Sequence, residues 1–269
     1  MITEFINYQQ HVRGLSVQTC NEYEKNLKYF SQWAAPRGLR WSTITKSDID
    51  RWTAEMHNDR LSSSTIKQRI STLRTFYSWL VHEGKLQHNP ARFCQTPKST
   101  ETLPTEADMT AIDAWLQEPA RTEEEKGVHM LTAIITETGM RISEALAIKR
   151  SDFQQCGIRI MGKGRKERIV FYGHRTIEQL RAYAPMCEHL FAGWTQERAR
   201  WAMYRTLGKV VKGVHPHMLR HTFAMQALNN GMALNEVSQL LGHKHISTTQ
   251  IYARAATSTL HKHYQQTFI

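Results

Sequence analysis

Apolar residues recur at three- and four-residue steps through most of this chain, and one stretch departs from that period. Val17, Cys20, Tyr23, Leu27, Phe30 and Ala34 line one face of a helix that Ser16 can cap and that the segment APRG (35–38) ends. Ile49, Trp52 and Met56 form the next stripe, behind Ser47 and Asp48. The run SSST (62–65) opens a longer helix with Ile66, Ile70, Leu73, Tyr77 and Leu80 on its apolar side, and Gly84 stops it.

The texture changes over 88–108, where three prolines and mostly polar residues carry no helical stripe. This predicts a boundary near residue 100: a helical domain over 1–97, an extended linker over 98–103 and a second domain over 104–269. Helices are predicted there over 106–116 and 128–138. Gly139 breaks the second, and the helical pattern resumes over 141–148. The period then switches to two. Ile158 and Ile160 alternate, GKGRKE makes a turn, and Ile169 and Phe171 alternate again, as in a β-hairpin with a basic tip. Helices over 176–183, 195–211, 217–230 and 235–242 complete a fold that is mainly α with a small antiparallel sheet. Gly231 and Gly242 sit at helix ends.

Composition fits a soluble globular protein: 41% of residues are hydrophobic and the mean hydropathy is −0.52. The apolar runs are too short to cross a bilayer, and MITEFINYQQ has no signal-peptide core, so a cytoplasmic setting is expected. The cysteines, at 20, 94, 156 and 187, show no CxxC spacing. Charge adds more. The net charge is +11, with 14 basic against 9 acidic residues in 1–103 and 21 against 15 in 104–269. Two basic halves suit a polyanion that touches both, and double-stranded DNA or RNA is the natural candidate. On the long N-terminal helix, Lys67, Arg69 and Arg74 can meet phosphates or form a solvated basic face.

Four segments can carry chemistry, and each is ambiguous alone. In TGMRISEAL (138–146), Arg141 follows a helix break, where a guanidinium can grip a phosphate or pair with Glu144. In GKGRKER (162–168), Lys163 and Arg165 lie on a glycine-bearing turn that can approach DNA or stand exposed. In HPHMLRHTF (215–223), His217 and Arg220 share a helix face, a pairing that suits phosphoryl chemistry. His215, His217 and His221 could instead share a metal, or His221 could face the core. In LLGHKHISTTQIYAR (240–254), His243 follows a glycine stop and Tyr252 lies nine residues on, where it can pack or act as an activated nucleophile.

Taken in order, these four boxes resemble the tyrosine recombinase (phage integrase) family, in its Xer-like branch. The N-terminal helices resemble that family's SAM-like core-binding domain, so the likeness spans nearly the whole chain. It implies that Tyr252 is the nucleophile, that Arg141 and Arg220 clamp the scissile phosphate, and that Lys163 protonates the leaving 5′ oxygen. His217 matches the general acid/base and His243 the residue that hydrogen-bonds the phosphate. Glu144 matches a supporting acidic position, while His221 and His245 are read as structural. The implied activity is site-specific cleavage and rejoining of DNA through a 3′-phosphotyrosine and a Holliday junction, with no metal, ATP or other cofactor. The implied assembly is a homotetramer on DNA, or one shared with a second recombinase. Residues 253–269, with Leu260, Tyr264 and Phe268 at four-residue steps, suit docking on a neighbouring subunit. No arm-type domain is expected ahead of residue 1. The alternatives are a type IB topoisomerase-like enzyme and an inactive DNA-binding architectural protein.

Overall fold

Ser16 lies in extended backbone and its hydroxyl accepts the Thr19 amide at 3.2 Å, which closes the amino end of α2 (Val17–Ala34). The computed structural model describes residues 1–97, 105–154, 157–161, 167–183 and 187–242. The chain divides into two compact units, Met1–Glu101 and Thr102–Ile269. Among the described residues no helix is long and apolar enough to cross a membrane.

In the first unit, α1 (Ile2–Asn7) runs into a π-helical turn (Tyr8–Val12), followed by α2, α3 (Lys46–Asn58) and α4 (Ser63–His82). The stripes read from sequence face inward: Leu27, Phe30, Ile49, Trp52, Met56, Ile66, Ile70, Leu73, Tyr77 and Leu80 are buried. Each such side chain contributes roughly 1.5–3 kcal/mol by leaving water. Phe30 meets Trp52 edge-on, and Trp41 meets Phe76 likewise, both at 4.8 Å between centroids. A buried hydrogen bond from Asn26 to the Thr72 hydroxyl (3.0 Å) pins α2 to α4. Two details depart from the pattern. Val17 is exposed, because it opens α2 before the turn that packs. The cap of α3 is Thr45, two residues ahead of Ser47, and it forms a reciprocal box with Asp48.

The second unit is built around α6 (Glu123–Thr138), whose segment from Gly127 to Thr136 is buried on every side. It packs against α7 (Ile142–Ala145), α8 (His174–Ala182), α9 (Gln196–Arg205) and α10 (Pro216–Asn229). α6 starts five residues earlier than its apolar stripe predicts. Thr122 caps it, and Glu123, Glu124 and Glu125 oppose the positive end of the helix dipole. α5 (Met109–Gln117) instead starts late, at the Asp108 cap. α9 likewise ends at Arg205, followed by a 3₁₀ turn (Leu207–Lys209), short of the predicted 211. α11 (Leu234–Leu241) ends at Gly242, whose φ is +63°.

The sheet has the order β1 (Phe153–Gln154), β2 (Gly157–Met161), β3 (Glu167–Val170), all antiparallel. Ile158 pairs with Val170 and Ile160 with Arg168. The parity of β3 is therefore opposite to the predicted one. Val170 is buried, whereas Ile169 and Phe171 are exposed, and Arg168 shares the inward face.

Candidate active site

The site begins where α6 stops. Gly139 has φ +64°, and a Cβ there would lie 2.3 Å from Phe223 Cδ1 and 2.9 Å from Leu241 Cδ2. Only glycine turns the chain so closely against α10 and α11. The turn presents the Gly139 carbonyl to Arg220 of α10, which is 4% exposed and donates Nη1 to it at 2.5 Å. Arg220 Nη2 donates to the Leu241 carbonyl at 2.7 Å.

Arg141 stands in extended backbone at the amino end of α7; the predicted helix over 141–148 is only the four residues of α7. Its Nη1 donates to Glu144 Oε1 (2.9 Å) and its Nη2 to the Gly242 carbonyl (3.4 Å). The pairing with Glu144 thus forms, yet it uses one of a guanidinium's five N–H donors.

Arg168 is the member that sequence reading missed. It reaches in from β3, with Nε on the Leu240 carbonyl (3.0 Å) and both terminal nitrogens on Glu144. The signal was present as alternation: counted from Val170 rather than Ile169, Arg168 falls on the buried face. Leu240, Leu241 and Gly242 each accept from a different arginine, so the carboxyl end of α11 gathers Arg168, Arg220 and Arg141 from three elements. The terminal carbonyls of a helix lack intrahelical donors and carry its negative dipole end, which explains why cations collect there.

Glu144, buried, sits beneath this cluster. Burial alone would raise its carboxyl, but the Arg168 hydrogen bonds, the Arg141 amide and both arginine charges outweigh that and hold it below the usual carboxylate range. His217 and His221 lie one turn apart on α10, ring centroids 6.5 Å apart. Desolvation holds the His217 imidazole below its ordinary value, helped by the charges of Arg220, His215, Arg200 and Arg141. Desolvation lowers His221 too, with His217, Arg220 and His215 adding to it. Among the described residues no three His, Cys, Asp or Glu side chains gather to share a metal ion. Lys163, Arg165, His243 and Tyr252 fall outside the described residues, as do His245 and 253–269.

Family models match both units. The phage integrase family matches residues 106–259, and the phage integrase N-terminal SAM-like domain matches residues 2–84. The chain belongs to the phage integrase family. As a tyrosine recombinase it is similar over nearly its full length to curated relatives. Tyrosine recombinase XerD of Listeria monocytogenes serotype 4b is 31% identical over 291 residues, covering 99% of this chain and 97% of that protein. Tyrosine recombinase XerC of Xylella fastidiosa is 28% identical over 279 residues, covering 98% and 95%. Among solved structures, XerH site-specific recombinase bound to palindromic difH substrate aligns with a TM-score of 0.76 at 20% identity, covering 97% of this chain and 83% of that one. A lambda integrase dimer bound to a COC′ core site aligns at 0.71 and 17% identity, covering 92% and 95%. The last two likenesses are of fold.

In the recombinase's first unit the three predicted phosphate contacts differ. Lys67 is exposed on α4. The Arg69 guanidinium lies 3.5 Å from the centroid of Tyr29, with Nη1 3.6 Å from the Met56 sulfur. Arg74 donates Nε to the Ala91 carbonyl (3.1 Å) and Nη2 to that of Cys94 (2.5 Å), which ties the segment after α4 back to the helix.

Proposed function

We propose that this site-specific recombinase cleaves DNA with the Tyr252 hydroxyl as nucleophile, within a site formed by Arg141, Lys163, His217, Arg220 and His243. The observation that carries the reading is the meeting of Arg141 and Arg220 at the end of α11, one residue before His243. Tyr252 Oη attacks the phosphorus and forms a 3′-phosphotyrosine. The 5′ oxygen leaves and takes a proton from Lys163. The phosphotyrosyl bond keeps the energy of the broken phosphodiester, so a 5′-hydroxyl of a partner strand can displace the tyrosine without ATP.

Negative charge grows on the non-bridging oxygens during attack, and preorganised cations stabilise it. A neutral His217, held so by burial and neighbouring cations, can accept the tyrosine proton near neutral pH. Strand exchange then runs through a Holliday junction in a tetramer on double-stranded DNA, built from this chain alone or with a second recombinase. The two domains, 1–97 and 104–269, joined by the linker 98–103, each carry a basic excess and would each contact the duplex.

A nicked suicide substrate tests the reading. The wild type is expected to form a covalent adduct that Tyr252→Phe abolishes and that EDTA leaves intact. An adduct from Tyr252→Phe, or none from the wild type, would overturn it.

A further inference from the structure

Glu144 poses a difficulty for the site. A buried carboxylate beside Arg141 neutralises the very cation that is to face a phosphate. Left to themselves, the two would form a tight pair at 2.9 Å with no net charge.

Arg168 changes that balance. Its guanidinium forks onto the carboxylate, Nη1 to Oε1 at 3.1 Å and Nη2 to Oε2 at 2.8 Å. With Arg141 Nη1 on Oε1 and the Arg141 amide on Oε2, the carboxylate accepts four hydrogen bonds. Arg168's own donors are directed at Glu144 and the Leu240 carbonyl, and its side chain is 15% exposed, so little of it faces outward. Arg141, at 33%, is the more open of the two. Gly242 makes room for this packing: a Cβ there would come within 2.8 Å of Arg168 Nη1.

We infer that Arg168 is a positioning residue which takes up the charge of Glu144 and so leaves Arg141 cationic toward the DNA phosphate. It touches no reacting atom and acts through Glu144 and the end of α11. The inference rests on the assignment of Arg141 to phosphate binding.

The test is single-turnover cleavage of a suicide duplex, read beside DNA affinity and thermal melting. Arg168→Met is expected to keep DNA affinity within about twofold and to slow cleavage by about a hundredfold, the scale of losing one preorganised cation. Adding Glu144→Gln to Arg168→Met removes the charge that captures Arg141, and is expected to regain at least about fivefold of the lost rate. A residue that merely braced the fold would give a double variant no faster than Arg168→Met. Wild-type cleavage by Arg168→Met, or no recovery in the double variant, overturns the inference. If Arg168→Met fails to fold, Arg168→Lys decides: its ammonium cannot fork onto Glu144, and it is expected to cleave about tenfold more slowly at unchanged affinity, with wild-type cleavage overturning the inference. An adduct that survives Tyr252→Phe would remove the nucleophile assignment while leaving the comparison of Arg168 variants intact.

Discussion

Arg220 and Gly139 are joined by a hydrogen bond from a buried guanidinium to the carbonyl of a left-handed turn, at 2.5 Å. The bond ties α10 to the end of α6, and the same guanidinium continues to Leu241 at the end of α11. Arg220→Ala would leave two buried carbonyls without charged donors. It is expected to lower unfolding free energy by about 2–4 kcal/mol and to slow DNA cleavage by at least about a hundredfold. Urea denaturation and adduct formation measure the two losses separately. A variant with normal stability and normal cleavage would refute both.

Gly139 itself is constrained by backbone and by space. Gly139→Ala adds a methyl into Phe223 at a φ of +64°. The expected cost exceeds about 1 kcal/mol, since the conformation is strained before any clash is counted. Phe223→Ala in the same background relieves the closest clash but neither the contact with Leu241 Cδ2 nor the strain. Partial recovery of the melting temperature would separate the two.

Acid is expected to weaken the second unit through His217 and His221. Both imidazoles titrate below their ordinary 6.5 in the folded chain, so the unfolded chain takes up protons first. Stability is then level above about pH 6.5 and falls as pH drops through that value toward the folded ones. Urea midpoints at about pH 7.5 and about pH 5.5 check this, and His217→Asn with His221→Asn should shrink the difference, leaving the share of His129, which burial also holds low. A midpoint that rises on acidification would contradict it.

The first-unit cations should divide into two kinds. Lys67→Ala is expected to weaken DNA binding and to reduce the slope of log affinity against log salt by about 0.9, as for one lost phosphate contact. Arg74→Ala is expected chiefly to lower the melting temperature, because its donors hold Ala91 and Cys94. An unchanged salt slope for Lys67→Ala would remove it from the DNA contacts.

A carboxylate that bonds to none of the clustered arginines gives a stability test. Glu137 accepts the amides of Gly173, Arg175 and Thr176 at 2.8–3.0 Å and so caps α8 from α6. Glu137→Ala is expected to cost roughly 1–2 kcal/mol in urea denaturation, as for a lost N-cap.

α2, α3 and α4 were legible from their apolar stripes and their Ser or Thr caps, and α2 and α4 begin at the predicted capping residues, whereas the short α1, with no side-chain cap, was not read. α6 was less so, since a helix buried all round has no polar face and its acidic first turn reads as a loop. Arg141, His217 and Arg220 could be singled out by motif, and the fold places Arg141 and Arg220 together on one helix end. Arg168 could not be found that way. Its position depends on strand register, and alternation counted from the exposed Ile169 instead of the buried Val170 puts it on the wrong side of the sheet.

That register also limits how the chain can change in length. The paired rungs of β2 and β3 run from Ile158 opposite Val170 to Met161 opposite Glu167. One residue added inside β3 rotates Arg168 to the opposite side of the sheet and removes it from Glu144 and Leu240 together. Insertions are thus excluded within β3, where a single codon would dismantle the arginine cluster without altering any of its members.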